Sequence, residues 1–573
     1  MDALFARLKR NLWPLACLLV LLAYLATVPP TWQCEGTDEI EYLGLAHSLV
    51  RGEGYTLYGE PYVYYPPLYS TLLSLVMRWD VTAWRLMYLL NAALGFAGVI
   101  VVASYLRRFG PAGRIASWFS LFSYYAWSFS TRYLMSDPLF TLCAAVALVA
   151  GAEALGRSGK GKGVRVGAVA VFALLAAMTR SSSIALVGAL ALSGFFTWRA
   201  TRNRAGLWLI GACVLAAAFI AYWEIRAVVV DPHAPESSAR WALKLVGLST
   251  ETTGYVATSI GTGTTHETTY GERLTVCAVK AGQYVASMTR RPSNAEPLAI
   301  LLFALFLAGV LRSLPRSPFG WYALWSILMI SFVPWYTDYL RYLYALTPLL
   351  FYFAWDGALA LRDALAGPRR RAAAILGGAW AACALAYSFA AWPFGAGEGS
   401  ERLYTSLLGL ALAVVYAAAL AGAVLLWKRD ARPAWGRFMP PLLVAACLAQ
   451  SAAMAAARFS LTRQNAALNS RNLEGCVAVG RWLGDHAPAD ASCVSSVPRL
   501  MAFLADRTFR KPVFDNQGRL DLAGADYLVL TGELVDVPFF RSDQEARLWA
   551  VAADMPLAFA FGDAAVYKVG RQE

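Results

Sequence analysis

Carboxylates stand where two long apolar runs of this sequence end or begin. Asp38, Glu39 and Glu41 follow the first apolar run, and Asp137 precedes Pro138 at the start of a later one. Charged side chains are costly near a bilayer, so such positions are candidates for function. A carboxylate there can take a proton from a hydroxyl or bind a metal ion. It can equally be a helix N-cap, and the residue types alone leave both interpretations open.

Three cations are candidates for binding an anion. Arg180 lies in the short interval between two apolar runs, and Arg341 precedes another run within a tyrosine-rich stretch. A guanidinium group binds phosphate or carboxylate through two parallel hydrogen bonds. The alternative is that each arginine only anchors the end of a span at the interface. Lys280, in a long polar segment, is a third candidate.

Tyrosines accompany these charges: Tyr42, Tyr65, Tyr69 and Tyr342. They can belong to an interfacial aromatic belt or form a platform for a sugar, and the sequence does not separate the two. No HExxH, GxSxG, P-loop or paired CxxC motif occurs. Nine cysteines are scattered along the chain, of which Cys476 and Cys493 are candidates for a disulfide.

The composition places these residues in a membrane protein. Hydrophobic residues make up 58% of the 573-residue chain, charged residues 15%, and the mean hydropathy is +0.47. The apolar runs are rich in Leu and Ala and long enough for helices that cross a ~30 Å hydrocarbon core. The net charge of +13 lies largely in short loops between these runs, which indicates membrane topology and not affinity for nucleic acid.

About thirteen spans are predicted, and the Lys/Arg clusters follow alternate spans. The positive-inside rule then places the N-terminus in the cytoplasm and the C-terminus outside. We expect a transmembrane module over 1–457, with outer loops 32–83 and 224–295, and an outer domain over 458–573. All the candidate residues then lie at the outer face. The predicted spans are 12–28, 84–106, 115–130, 137–156, 166–179, 181–198, 206–223, 296–312, 319–335, 343–361, 373–391, 403–427 and 439–457.

The outer segments carry structure of their own. Residues 38–50 have the spacing of an amphipathic helix lying on the membrane surface, and Gly52-Glu53-Gly54 ends it. Pro66-Pro67 starts a second helix over Leu68–Trp79. The composition of loop 224–295, rich in Gly, Ser and Thr, suits a mobile lid. The tail predicts a small α/β unit with a partly parallel sheet, from a helix at 473–484 and strands near 492–497, 527–530 and 564–569.

Several short motifs follow one another along the chain: Asp38-Glu39, Tyr42, Ala46, Leu49, Gly52, Gly54-Tyr55, Tyr65-Pro66-Pro67-Leu68-Tyr69, Ser136-Asp137-Pro138-Leu139-Phe140 and Arg341-Tyr342-Leu343 with Pro348. In this order they resemble the GT-C superfamily of polyprenyl-phosphate-dependent glycosyltransferases. The resemblance is closest to the bacterial branch related to protein O-mannosyltransferases and the lipid A aminoarabinose transferase. Its topology covers the whole chain, and its motifs are concentrated in the first 140 residues and near 341.

The resemblance implies an all-α polytopic bundle of the GT-C type with a C-terminal extracytoplasmic α/β domain. It implies a bacterial inner-membrane enzyme that moves a sugar from a polyprenyl-phosphate donor to a lipid, glycan or protein acceptor. The matching positions make Asp38 the base and Asp137 the second carboxylate of the site, with a divalent cation (Mg, Mn or Ca) shared between them if one is used.

The cations and the remaining polar residues then take substrate-binding roles. Arg180, Arg341 and Lys280 are the candidates for binding the donor phosphate, since cations stabilise the charge that develops on a leaving phosphate. Donor or acceptor contacts are expected from Glu39, Tyr42, Tyr65, Tyr69 and Tyr342.

One departure from the family pattern bears on the substrate. The aminoarabinose transferase has an acidic and a basic residue before its Pro-Pro, where this chain has Tyr64-Tyr65. The donor sugar or the acceptor is therefore expected to differ. Two other classes remain open: a lipid or glycan transporter, and a non-catalytic component of polysaccharide assembly. A transporter would carry charges within its spans and inverted repeats, whereas the charges here lie at span ends and no repeat is visible.

Overall fold

A computed structural model describes the membrane part of the chain from its first helix to residue 366, with gaps, and parts of the tail. The described residues are 2–29, 32, 37–57, 60–80, 83–156, 161–230, 257–258, 265–266, 270–285, 296–314, 317–332, 339–366, 375, 379–384, 386, 473–488, 490–495, 501, 504–505, 509–510, 513–514, 520–531, 548–562 and 564–569.

Helices dominate the described membrane part. In chain order they are α1 (Asp2–Ala26), α2 (Thr37–Arg51), α3 (Leu68–Met77), α4 (Trp84–Leu106), α5 (Gly110–Leu121), α6 (Tyr124–Thr131), α7 (Asp137–Gly156), α8 (Lys162–Ala177), α9 (Ile184–Thr201), α10 (Arg204–Val230), α11 (Tyr270–Val285), α12 (Glu296–Ser313), α13 (Pro318–Phe332), α14 (Tyr339–Tyr342) and α15 (Thr347–Ala366). Turns of 3₁₀ helix, Ser181–Ser183 and Leu343–Leu346, precede α9 and α15. Two-residue strands β1 (Thr56–Leu57) and β2 (Glu60–Pro61) pair as a hairpin, as do β3 (Ala257–Thr258) and β4 (Thr265–His266).

Five of the described helical segments are long and apolar enough to cross a membrane: Trp84–Leu106, Asp137–Gly156, Ser181–Thr201, Arg204–Val230 and Leu343–Leu361. Shorter apolar helices include Leu12–Ala26, Leu298–Ser313 and Pro318–Ile330. Leucines on α1, such as Leu18 and Leu22, are about half exposed, as suits a surface that faces lipid. The chain is therefore a multi-pass membrane protein, as predicted. The last two predicted spans, and most of 373–391, lie outside the described residues.

Two predicted spans differ from the structure. The span expected over 115–130 is broken after Phe122 into α5 and α6, because the hydroxyl of Ser123 accepts a hydrogen bond from the backbone N–H of Ala126 and starts a new helix (3.4 Å). The span expected over 206–223 continues as α10 to Val230. Arg226 lies within this extension, and its Nη1 donates to the carbonyl of Tyr62 over 2.7 Å.

The helix predicted over 38–50 is present as α2 (Thr37–Arg51), but the prediction that it lies on the membrane surface is wrong. Helix α2 is enclosed on both faces: Ile40, Leu43, Leu45 and Ala46 have no exposed surface, and neither does Glu39. The helix packs on α3 and β1, and its polar face meets the segment before α7. The end of α2 is as predicted, since the glycines at 52 and 54 adopt positive φ angles of 77° and 82°. Helix α3 begins after Pro67, also as predicted.

Helix α11 falls within the segment that was expected to be a lid. It packs against α12, α13 and α15, and its Cys277 and Tyr284 are fully buried. The hydroxyls of Tyr284 and Thr347 lie 2.5 Å apart, which joins α11 to the start of α15. Residues 270–285 are thus part of the packed bundle and not of a lid.

The two ends of α7 separate two charged regions. Asp137 opens the helix, and Glu153 near its other end binds Arg108 in the turn after α4 (2.5 Å) and Arg165 of α8 (3.2 Å). Sixteen residues of helix place these carboxylates about 24 Å apart along the axis. Arg108 and Arg165 therefore lie at the end of α7 opposite to Asp137.

The described parts of the tail form a mixed sheet beside a helix. Residues 473–486 are helical, and the sheet has the strand order β10-β11-β9-β5-β6. Its strands are β5 (Cys493–Ser495), β6 (Phe509–Arg510), β9 (Tyr527–Leu530), β10 (Leu557–Phe561) and β11 (Ala564–Lys568), and β7 (Val513–Phe514) pairs with β8 (Leu520–Asp521) in a separate hairpin. Strand β5 runs parallel to β6 and β9, while β9, β11 and β10 are antiparallel, so the predicted partly parallel sheet is confirmed. Cys476 and Cys493 are buried free thiols, so the disulfide considered for them is not formed.

Candidate active site

Four charged side chains from separate elements meet at the Asp137 end of the bundle. Asp38 lies in the first turn of α2 and Asp137 opens α7. Arg180 follows α8 in an extended conformation, and Arg341 belongs to the short helix α14 before α15. Each of the four residues lies at a helix end or next to one. We call these four residues the charge cluster.

Arg341 joins the two carboxylates of the charge cluster. Its Nη1 lies 2.7 Å from Asp38 Oδ2, and its Nε donates to Asp137 Oδ2 over 3.0 Å. The other oxygen of Asp137 lies 2.5 Å from Arg180 Nη1. Both oxygens of Asp137 thus contact guanidinium groups, so its side chain serves the ion pairs and not the cap of α7. Two negative and two positive charges balance formally.

Exposure differs within the cluster and distinguishes the two acids. The side chain of Asp137 is 8% exposed and that of Arg341 9%, whereas that of Asp38 is 21% exposed. Asp137 is held by two arginines, while Asp38 contacts one arginine and a tyrosine hydroxyl. Asp38 is therefore the carboxylate that an external hydroxyl can reach more easily.

The cluster keeps Asp38 ionised. Burial acts to raise the pKa of Asp38, but the charge and hydrogen bond of Arg341, with smaller contributions from Tyr65 and Arg180, hold that pKa below its ordinary value. Burial would likewise lower the pKa of Arg341, yet Asp137 and Asp38 raise it well above its usual range. At neutral pH the site therefore presents a carboxylate, the form that can accept a proton.

Tyrosines form one wall beside Asp38. The hydroxyl of Tyr65 donates to Asp38, and its ring stacks on that of Tyr42 with centroids 4.7 Å apart. The Tyr42 hydroxyl lies 2.7 Å from Ser136 Oγ, next to Asp137. Tyr69 meets Tyr42 edge to face at 5.0 Å. Tyr42 and Tyr69 are fully buried, so they support the wall, whereas Tyr65 is partly exposed.

The remaining predicted residues lie at different distances from this chemistry. The ring of Tyr342 lies 5.4 Å from the Arg180 guanidinium carbon and 5.8 Å from that of Arg341, within range of cation–π attraction. Glu39 is fully buried and accepts hydrogen bonds from Trp32 Nε1 and the backbone N–H of Leu134, both at 3.2 Å. It holds α2 against the segment before Asp137. Lys280 lies half buried on α11, outside the charge cluster.

The sequence analysis missed Asn91, whose side-chain amide binds the segment that precedes Asp137. Asn91 of α4 accepts from the Tyr69 hydroxyl at 3.1 Å and donates to the Tyr133 carbonyl at 2.6 Å. A signal was present, because Asn91 is a polar residue within an apolar run, and such residues seldom lack a role. Ser136 gave no comparable signal.

The expected divalent cation does not fit the arrangement of the two carboxylates. Arg341 lies between Asp38 and Asp137, so a shared metal ion would have to displace a guanidinium group that contacts both. Within the described ranges, no three His, Cys, Asp or Glu side chains come together as metal ligands. The position between the two carboxylates, where the sequence suggested a metal ion, is therefore occupied by the guanidinium group of Arg341.

Comparison with solved structures identifies the fold. No profile of a protein family and no curated sequence matches the chain significantly. The structure is similar to apo ArnT from Cupriavidus metallidurans, with a TM-score of 0.53 and 14% identity over 98% of both chains. It is similar to the same protein bound to undecaprenyl phosphate, with a TM-score of 0.52 and 15% identity over 98% of both chains. For an oligosaccharyltransferase from Archaeoglobus fulgidus the TM-score is 0.41 and the sequence identity is 11%, over 90% of this chain and 67% of the other.

The similarity to ArnT extends over nearly the full length of both chains, including the tail. It shows that this chain shares the fold of ArnT, in agreement with the resemblance that the sequence motifs indicated. Identity of 14–15% shows a shared fold and leaves the chemistry to be argued from this chain's own residues.

Proposed function

We propose that this protein is an integral membrane glycosyltransferase that moves a sugar from a polyprenyl-phosphate donor to an acceptor hydroxyl. The observation that carries the proposal is the charge cluster, in which two carboxylates and two guanidinium groups from four distant segments meet at one end of the bundle. Carboxylates supply the base and guanidinium groups the anion site that such a transfer needs.

Asp38 acts as the base. It is ionised, it is the more exposed acid, and it adjoins the tyrosine wall. The acceptor oxygen attacks the anomeric carbon, its proton passes to Asp38, and the bond from that carbon to the phosphate oxygen breaks. The electron pair leaves with the phosphate. A single displacement of this kind inverts the anomeric carbon.

Arg341 and Arg180 receive the phosphate. A leaving phosphate gains negative charge as the glycosidic bond breaks, and fixed guanidinium groups stabilise that charge without reorganisation. Asp137 holds both arginines in place through its two oxygens, and Tyr342 lies against both. This favours a positioning role for Asp137 over direct contact with the acceptor.

The proposed orientation places this chemistry on the outer side of a bacterial inner membrane. Arg108 and Arg165 lie about 24 Å from the Asp137 end along α7, among further basic residues such as Arg199 and Arg312. The positive-inside rule assigns that basic end to the cytoplasm. The charge cluster then faces outward, with the N-terminus inside and the C-terminal domain outside.

A polyprenyl chain is the proposed carrier of the donor phosphate. The support is the ArnT structure of the same fold that is bound to undecaprenyl phosphate. The pair Tyr64-Tyr65 before Pro66-Pro67 supports a donor or acceptor that differs from that of the aminoarabinose transferase.

The test is a donor screen on the purified full-length protein in lipid nanodiscs. Undecaprenyl-phosphate-linked hexoses, pentoses and amino sugars, each radiolabelled in the sugar, are offered with and without membrane extract as acceptor. We expect one donor to release its sugar to water or acceptor. The release should disappear on heat inactivation and persist in Arg199→Gln, a variant at the basic end. The proposal is wrong if all these donors are inert and a nucleotide sugar is turned over. It is also wrong if the protein, reconstituted in sealed liposomes, moves donors across the bilayer without cleaving them.

A further inference from the structure

Arg341 uses a separate nitrogen for each of its carboxylates. Nη1 lies 2.7 Å from Asp38 Oδ2, while Nε donates to Asp137 Oδ2 over 3.0 Å. Asp38 is the more exposed of the two carboxylates, so the contact with Nη1 is the more accessible of the two to a ligand that enters the site. The same contact engages the group that has to be free to act as the base.

We propose that the donor phosphate competes with Asp38 for Nη1 of Arg341, so that binding of the donor frees the base. The inference rests on the proposed function and adds to it a coupling between two substrates: the site becomes competent to deprotonate an acceptor only after the donor has bound. Binding of a ligand then shifts the charge cluster between two arrangements because the ligand interacts differently with each.

Arg341 can change one partner without losing the other. Its Nε contact with Asp137 is the more buried of the two, and Asp137 is fixed in turn by Arg180. Arg180 contacts only Asp137 within the cluster, so it has no such exchange to make. The ring of Tyr342 lies 5.8 Å from the Arg341 guanidinium carbon and retains its attraction in either arrangement.

Asp38 remains oriented after the exchange. The hydroxyl of Tyr65 donates to it, and Tyr65 is held by its own backbone, whose carbonyl accepts from the Tyr55 hydroxyl at 2.8 Å. The charged and titratable groups that face Asp38 are Arg341 and Arg180 from other segments, Tyr65 before α3, and Tyr42 on its own helix. With Nη1 engaged elsewhere, burial acts on Asp38 with less opposition, which makes it a stronger base.

The charges balance through the transfer. The empty cluster is neutral, and a sugar phosphodiester adds one negative charge. As the acceptor proton reaches Asp38, that carboxylate becomes neutral, and the departing phosphate gains the corresponding negative charge. Arg341 has already exchanged Asp38 for the phosphate when the donor binds, and it stays with the phosphate as the negative charge on the phosphate grows. The total charge in the site does not change during the transfer.

The test uses the affinity for undecaprenyl phosphate itself, which needs no turnover. Competition requires that removal of the Asp38 charge releases Arg341 for the ligand. Asp38→Asn keeps the shape of the side chain and should bind undecaprenyl phosphate roughly tenfold more tightly than the wild type. In an Arg341→Gln background, the same Asp38→Asn change should leave the affinity unaltered.

Glu41→Gln is the matched control. Glu41 lies on the same helix, is also buried, and accepts from the Tyr62 hydroxyl at 2.5 Å, away from Arg341. Its loss of one negative charge should change the affinity less than twofold, which separates release of Arg341 from a general electrostatic effect. Melting temperatures of all variants with and without the lipid show whether each is folded.

The outcomes separate the inference from the proposed function. If wild type binds undecaprenyl phosphate and Asp38→Asn binds it equally or more weakly, the competition is refuted while the proposed function stands. Equal tightening in Glu41→Gln refutes it as well. If neither the wild type nor Asp38→Asn binds the lipid, the proposed function and the inference both fail.

Discussion

Arg341 and Asp137, 204 positions apart in the chain, share a buried hydrogen bond of 3.0 Å. The bond joins the segment before α15 to the first residue of α7, and through it Asp38 and Arg180 come into one cluster. Neither helix holds an oppositely charged partner of its own, since α7 contains no Lys or Arg and α14 contains no Asp or Glu. The chemistry of the site therefore depends on packing of the helices that carry these residues.

Removal of the groups that keep Asp38 ionised should change the pH dependence of turnover. Asp38 has a lowered pKa, so activity that needs its carboxylate is present above that pKa and falls as pH drops through it. Tyr65→Phe removes one hydrogen bond and Arg341→Gln removes a charge, while burial remains. We expect the acid limb of the kcat/KM profile to move to higher pH in both, further in Arg341→Gln. Tyr64→Phe, a change at the exposed neighbouring tyrosine, is the control and should leave the limb in place.

Arg180 should stabilise the transition state through its positive charge and the paired N–H donors of its guanidinium group. Arg180→Gln removes the ion pair with Asp137 and one ligand for the leaving phosphate. A charge-assisted hydrogen bond of about 1.5–3 kcal/mol predicts a loss of roughly 10- to 150-fold in kcat/KM for the donor. Arg180→Lys should recover part of this loss, because it restores the charge but not the fork. An unchanged kcat/KM in Arg180→Gln would remove Arg180 from the site.

Glu39 should stabilise the fold around the site. Glu39→Ala leaves Trp32 Nε1 and the N–H of Leu134 buried without this acceptor, at a cost of about 1–3 kcal/mol for each unsatisfied group. We expect a clearly lower melting temperature in detergent, and a smaller change for Glu39→Gln, which keeps an acceptor oxygen. Glu53→Gln, at an exposed acid just beyond α2, should match the wild type. A melting temperature of Glu39→Ala equal to that of the wild type would contradict this account.

Close packing of α4 on α7 should depend on Gly98. A Cβ at this position would lie 2.7 Å from the backbone nitrogen of Leu142, closer than real contacts allow. Gly98→Ala should therefore lower the melting temperature and displace the start of α7, with a loss of activity. Gly211→Ala, in α10 with open space around it, should be neutral or slightly stabilising because alanine favours helix. Equal melting temperatures for the two variants would argue against the tight α4–α7 contact.

The four charged residues of the cluster could be predicted from the sequence because each lies at or near the end of an apolar run. The cost of a charge near a bilayer made Asp38, Asp137, Arg180 and Arg341 candidates before any coordinates. That the four residues could meet was predicted from the membrane topology, because the positive-inside rule placed all of them at the outer face of the membrane. The sequence did not indicate that Arg341 bridges both acids, since side-chain pairing depends on how the helices pack.

Other features of the fold could not be predicted from the periodicity of apolar residues. The spacing of residues in α2 predicts one apolar face. The burial of its polar face follows only from the fold, because Glu39 on that face accepts a hydrogen bond from the distant backbone N–H of Leu134. The break after Phe122 depends on one serine cap within an apolar stretch that otherwise resembles a single span. Helix α11 was hidden for a related reason, since its sequence is polar enough to resemble a loop.

Cleavage of a donor in a single turnover by the wild type and by Asp38→Asn tests the central claim most directly. With excess enzyme and a radiolabelled undecaprenyl-phosphate sugar that the wild type accepts, the rate of transfer is measured at saturating acceptor. The account predicts a rate lower by roughly 10²–10⁴-fold in Asp38→Asn, the contribution expected of a general base, with the donor still bound. A variant that binds the donor and transfers the sugar at the wild-type rate would contradict it.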